Sequence, residues 1–138
     1  MSIISKISVA FALMMISCNT RNIVLINKCI DSSITYQKVD INDLLANPIS
    51  FDNKYVDLEG IYYLGFEESS LVGRRGESAE CIYVMIRNNK VLAEKMEDMD
   101  MKYVSRIRIK GEIDISEKGH LESCKAGIKN ICYFEIIN

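Results

Sequence analysis

At 138 residues, with 49% apolar and 26% charged side chains, the chain is long enough for one domain with its own core and too short for two. Seventeen basic against nineteen acidic side chains, a formal net charge of −2, exclude a globally basic nucleic-acid binder, and the apolar content excludes a disordered chain. Seven glycines, one proline and five cysteines exclude a collagen-like repeat and a dense disulfide scaffold.

At the N-terminus Lys6 is the only charge before an apolar run from Ile7 to Ile16, which is too short to span a bilayer as a helix. The run ends in Met15-Ile16-Ser17-Cys18, and the chain turns polar at Asn19-Thr20-Arg21-Asn22. An apolar residue, a tolerant position, a small residue and then Cys resembles the bacterial lipobox. That resemblance implies cleavage before Cys18, diacylation of its thiol and acylation of the freed amine. Residues 1–17 are then expected to be a lipoprotein signal peptide, 18–35 a tether and 36–138 the folded domain. Several acyl chains, each worth about 0.8 kcal/mol per buried CH₂, hold a protein on a membrane without a spanning helix. The expected location is the cell envelope, on the inner or outer membrane, with the domain facing the periplasm or the cell surface. Loss of Lys6 leaves sixteen basic and nineteen acidic side chains, a formal charge of −3.

Four further cysteines, Cys29, Cys81, Cys124 and Cys132, allow three complete pairings in an oxidising compartment. A single bridge from Cys81 to Cys124 or to Cys132 is expected, because these three fall in the folded region and Cys29 falls in the tether. No CxxC or Cys/His spacing marks zinc, and with one His in the chain no metal or other cofactor is expected.

In the folded part, Asp40 has the character of a helix N-cap, with Asp43 three residues on and Ile41, Leu44 and Leu45 in one apolar stripe. Asn47-Pro48 ends that helix. From Lys54 the period changes to two: Val56, Leu58, Gly60, Tyr62 and Leu64 share one face, and Asp57 and Glu59 the other. Gly60 marks a bend. A short strand is expected near Leu71 and another over Glu80 to Arg87, with Ile82, Val84 and Ile86 inward. Helical spacing returns over Val91 to Met101, carried by Leu92, Met96 and Met99 after an Asn88-Asn89 cap. The cleanest alternation follows, with Ile107, Ile109, Gly111, Ile113 and Ile115 on one face and Arg106, Arg108, Lys110, Glu112 and Asp114 on the other. Glu117-Lys118-Gly119-His120 is a turn. The last strand, Ile131 to Ile137, carries Cys132, Phe134 and Ile136 on one side.

Lys54-Tyr55-Val56 leading to Gly60 is echoed by Lys102-Tyr103-Val104 leading to Gly111. Two long strands kinked at glycine, with a helix before the fourth strand, predict a mainly β fold. It is a five-stranded OB-fold-like Greek-key barrel, with a short N-terminal helix and a helix between strands 3 and 4. The stretches Asp43 to Pro48, Asp52 to Gly60, Leu64 to Glu68, Lys102 to Val104, Ile109 to Gly111, Lys118 to His120 and Gly127 to Ile131 together resemble a family of small bacterial cell-envelope lipoproteins. Its domain is OB-fold-like and related in pattern to the anticodon-binding type of barrel. The family has no established biochemical activity, so the resemblance implies fold and location but no mechanism.

Several residues carry candidate chemistry. Gly73-Arg74-Arg75-Gly76 has the composition of an anion-binding loop but lacks Walker or dinucleotide spacing, which favours a plain exposed loop. Glu67 and Glu68, adjacent on an extended chain, point apart and fit a solvated turn better than an acid/base pair or a calcium site. His120 beside Gly119 is a turn residue with no nucleophile spaced to pair with it. Arg106, Arg108 and Lys110, with Tyr83 and Tyr133 for stacking, form the sort of row an OB-fold uses to track a nucleic-acid backbone. Glu112 and Asp114 interrupt the row, and the acidic balance and exported location argue against nucleic acid. Tyr55, Tyr62, Tyr63, Tyr83, Tyr103 and Tyr133 suit either barrel packing or a partner surface.

With no catalytic constellation, the expected function is that of a non-enzymatic binding module. It is held to the membrane through acylated Cys18 and takes a protein, peptide or glycan partner. The alternatives are an envelope immunity or inhibitor protein, and a single-stranded nucleic-acid or oligosaccharide binder. Nothing in the sequence sets an oligomeric state.

Overall fold

The structure, a computed structural model, describes residues 21–65, 68–74, 80–101 and 103–138. Among these lie β1 (Ile23–Asn27), β2 (Gln37–Lys38), α1 (Ile41–Ala46), β3 (Tyr55–Leu64), β4 (Ser69–Val72), β5 (Ile82–Val84), α2 (Lys90–Asp98), β6 (Val104–Asp114) and β7 (Ala126–Ile136). Strands β3 to β7 close a five-stranded barrel. β3 pairs antiparallel with β4 and β4 with β5; β5 runs parallel to β7, and β6 closes the ring antiparallel to both β7 and β3. With α2 between β5 and β6, this is the OB-like order that the alternation predicts.

The barrel follows from the period of two. On β3, Val56, Leu58 and Tyr62 are fully buried, and on β6 so are Ile107, Ile109 and Ile113. Gly60 sits where β3 bends over β4, and a Cβ there would lie 2.7 Å from the Val72 carbonyl oxygen. Gly111 meets the Lys129 carbonyl oxygen in the same way, beside the register shift between Lys110 and Glu112. Both glycines let a neighbouring backbone approach where any side chain would collide. Tyr62 and Phe134 meet edge to face at the centre, ring centroids 5.8 Å apart.

Both helices are capped by the predicted residues. The Asp40 carboxylate accepts from the Asn42 backbone N–H at 2.7 Å, and the Asn89 side chain from that of Leu92 at 3.0 Å. α1 buries Ile41, Leu44 and Leu45, and α2 buries Leu92 and Met96. α2 ends three residues short of the expected Met101, and Met99, its C-cap, is partly exposed.

Strands β1, β5 and β7 also differ from the sequence expectation. Ile23–Asn27, placed in the tether, is a strand paired antiparallel to the end of β7, with Leu25 and Ile26 buried. Five residues with two buried apolar side chains gain more from pairing than from staying free, so the folded unit begins before residue 36. Its outer edge is partly covered, since Lys95 Nζ on α2 donates to the Leu25 carbonyl at 2.8 Å. β5 is shorter than Glu80 to Arg87, because Ile86–Asn88 turns into a 3-10 segment. β7 starts five residues before Ile131, its first part paired with both β5 and β6.

The cysteines form two bridges among the described residues. Cys81 joins Cys124, one of the two partners expected for it, with Cα atoms 4.8 Å apart. Cys132 is taken by Cys29, the residue assigned to the tether, with Cα atoms 5.0 Å apart. The cause is β1: its pairing with β7 carries Cys29 back to the barrel, where the Lys28 N–H also donates to the Cys132 carbonyl at 2.7 Å. The expected signal peptide and Cys18, with Glu67, Arg75, Gly76 and Lys102, lie outside the described residues. No helix among the described residues is long and apolar enough to cross a membrane.

Candidate functional site

The basic row stands on the outer face of β6, where the antiparallel register sets it against acids of β3 and β7. Arg108 donates from Nε to Asp57 Oδ1 at 2.9 Å and from an η nitrogen to Oδ2 at 2.7 Å, a two-point fork. This bond holds the guanidinium still more firmly in its charged form. Arg106 reaches Glu59 at 3.2 Å. Lys110 and Arg108 both lie over the Tyr133 ring, at 5.2 and 5.6 Å from its centroid. The Tyr133 hydroxyl in turn donates to Glu135 at 2.9 Å. Burial, then that carboxylate, raises the Tyr133 phenol. The cations are thus matched on their own sheet face, and Tyr83, expected beside them, stands elsewhere, on β5.

Asp114 completes the pattern on β6. It accepts from Lys129 Nζ at 2.6 Å and from the Ser116 hydroxyl and N–H at 2.6 and 3.0 Å. The Lys129 bond first, then Ser116, brings its carboxyl down to about 2. A folded value below the unfolded one stabilises the fold above the ordinary carboxylate range, and that contribution is lost as pH falls toward 2. Melting temperature should therefore fall between about pH 4 and 2. Asp114→Asn should remove part of that fall, and thermal melts across the window check it.

Tyr83 lines a separate cleft of about 540 Å³. Its floor is β4 and β5. Ser69 Oγ donates to the Val84 carbonyl at 2.7 Å, which leaves it to accept from the Tyr62 hydroxyl at 2.9 Å. Burial pushes the Tyr62 phenol up to about 12. This chain ties β3, β4 and β5 beneath the cleft. Tyr63, near the end of β3, and Tyr103, just before β6, meet edge to face at 5.9 Å on one wall. Glu68, in the β3–β4 loop, accepts the Tyr103 hydroxyl proton at 2.6 Å and the Ser70 hydroxyl at 3.2 Å. The carboxylate bond raises the Tyr103 phenol, keeping it a donor.

The other wall is the β6–β7 loop, which supplies His120, Leu121 and Cys124. Cys124 fastens it to Cys81 before β5, the Lys125 N–H donates to the Cys81 carbonyl at 3.0 Å, and Lys125 Nζ reaches Glu80 at 2.8 Å. Gly119 (φ 73°) packs on Tyr83, where a Cβ would come within 2.9 Å of the ring. Leu121 and Glu122 follow at φ 53° and 54°, the left-handed region that costs a non-glycine residue about 1 kcal/mol or more. Leu121 is 86% exposed. This strained loop carries an apolar side chain into solvent beside the cleft. An adjoining groove of about 350 Å³ shares Glu68, Ser69, Tyr83 and His120 and leads to Arg87.

Of the predicted binding residues, the structure keeps Arg106, Arg108 and Lys110 together and sets Tyr83 apart with Tyr63 and Tyr103. Tyr62 belongs to the core. Glu68 and His120, both expected as turn residues, face the cleft. Leu121 was legible only as an apolar residue in a polar loop. No three His, Cys, Asp or Glu side chains among the described residues are grouped to hold a metal ion. Compared with protein-family models, with curated proteins and with solved structures, the chain finds no match.

Proposed function

We propose that the chain is a lipid-anchored cell-envelope protein, held by acylated Cys18, whose barrel is a non-enzymatic binding module for a protein segment, peptide or glycan. The observation behind this is the position of the aromatic cleft. It lies over the second and third barrel strands, between the first-second and fourth-fifth loops, the face with which OB-folds take oligonucleotides and oligosaccharides. Its volume suits a short segment of a ligand. The paired state of Arg106 and Arg108 argues against the alternative of a nucleic-acid backbone tracked along β6. β1 begins five residues after Cys18, so an acylated Cys18 keeps the barrel within about 18 Å of the lipid surface.

Two measurements test the reading. Mass spectrometry of the mature N-terminus should show acylated Cys18, and Cys18→Ala should leave the precursor unprocessed; an intact Met1 overturns the anchor. For the cleft, the full chain in polyoxyethylene detergent is titrated with triacetylchitotriose and with two blocked pentapeptides, Ala-Ala-Lys-Ala-Ala and its norleucine counterpart. Saturable shifts of the Tyr63, Tyr83 and Tyr103 ring resonances by at least one probe are expected. Tyr103→Ala should weaken them at least tenfold without lowering the melting temperature. No saturable shift with any probe, or shifts confined to the Arg106 to Lys110 face, overturns the cleft as the site.

A further inference from the structure

We infer that the group this cleft selects is a cation on an aliphatic stem, the side chain of a lysine in a partner peptide being the simplest case; this rests on the cleft being the binding site. The charge of the lining points there. Glu68 is the one carboxylate among the described lining residues, and no Lys or Arg stands with it. Arg87 enters only at the far end of the adjoining groove. A phosphate or a sulfated sugar would face Glu68 with no Lys or Arg among the described lining residues to answer it. An ammonium meets its complement there.

The carboxylate is also held ready. Ser70 donates to Oε1 and Tyr103 to Oε2, so both oxygens are oriented, and each keeps a lone pair for a further donor. Around it stand three tyrosines, whose ring faces attract a cation within about 6 Å. Val72, Leu121 and the Cys81–Cys124 bridge supply an apolar wall for a four-carbon stem. Carboxylate, π faces and apolar wall together match an alkylammonium better than a neutral sugar, which would leave the charge of Glu68 unanswered.

The two pentapeptides decide the matter, since lysine and norleucine differ only by the ammonium group. The lysine peptide is expected to bind at least fivefold more tightly at low salt, with the advantage shrinking as salt is added. Glu68→Gln keeps an acceptor for Tyr103 and should bring the two peptides within twofold of each other, chiefly by weakening the lysine peptide. Equal affinities for the two peptides in the unaltered chain overturn the cation preference while the cleft stands as a site. Binding of triacetylchitotriose with neither peptide does the same. A lysine preference that survives Glu68→Gln overturns the role of the carboxylate, and silence from all three probes removes both the preference and the site.

Discussion

Replacing Cys29 and Cys132 together by serine is expected to lower the free energy of unfolding by about 2–5 kcal/mol. The bridge spans 103 residues, nearly the whole described chain. A cross-link that closes a loop of that length removes about 4.7 kcal/mol of chain entropy from the unfolded state in the loop-closure model. Engineered and natural bridges commonly deliver less. The loss should be local in its first effect. β1 is otherwise held by its ladder to β7 and by contacts such as Asn22 Nδ2 to Glu135 at 3.0 Å and Asn138 Nδ2 to the Arg21 carbonyl at 2.6 Å. Without the bridge, amide exchange in β1 should rise before that of β3 or β6. Guanidinium unfolding of the paired variant checks the magnitude, and hydrogen exchange checks the order. A change below 1 kcal/mol, or uniform exchange across the barrel, contradicts this account. Cys81 and Cys124, 43 residues apart, should matter somewhat less to stability. They should matter more to the cleft, because they clamp its β6–β7 wall.

Arg108→Met is expected to cost about 2–4 kcal/mol, while Arg106→Met changes stability by less than about 1 kcal/mol. The two arginines are two residues apart on one strand face, yet their partners differ in solvent access. Asp57 is only 9% exposed as a side chain, against 35% for Arg108, so removing the arginine strands a carboxylate in a place poor in water. Arg106 and Glu59 are 60% and 41% exposed, and water takes over from either partner. Asp57→Asn added to Arg108→Met should recover part of the loss, because the stranded charge is gone. A double-mutant cycle on Asp57 and Arg108 should give a coupling above 1 kcal/mol, and one on Arg106 and Glu59 a coupling near zero. Equal effects at the two arginines would mean that burial does not govern this face. The result also bears on function, since a row of arginines already spent on carboxylates has little left for phosphates.

Legibility in the sequence tracked the range of the interactions involved. Strands β3 and β6 were readable because one face is core and the other water, so alternation is written into ten or more consecutive residues. Both helix starts were readable because Asp40 and Asn89 act on N–H groups two and three residues away. The first half of β7 was not. Gly127 and Asn130, the latter at φ 50°, have turn chemistry, and it is the pairing of Gly127 and Ile128 with both β5 and β6, and of Lys129 with β6, that makes this stretch strand. β1 failed for a similar reason: five residues beside a polar N-terminal stretch carry no periodicity strong enough to distinguish strand from tether.

The candidate site divides along the same line. Residue types capable of binding were visible as tyrosines, acids and a basic row, but their neighbours were not. Arg108 and Asp57 are 51 residues apart, and Tyr103 and Glu68 are 35 apart. The sequence by itself determined the class of fold, because burying one face of each strand admits few arrangements and two glycines mark where the strands must bend. It also carried the motif on which the membrane anchor is proposed. Only the tertiary structure decided which charges cancel and which side chains share a cleft. Barrel closure sets the register that lays Asp57 and Glu59 beside the arginines, and it carries Tyr63, Tyr83, Tyr103 and Glu68 to one cleft. Registers and loop positions are long-range outcomes of packing, and no local pattern of residues encodes them.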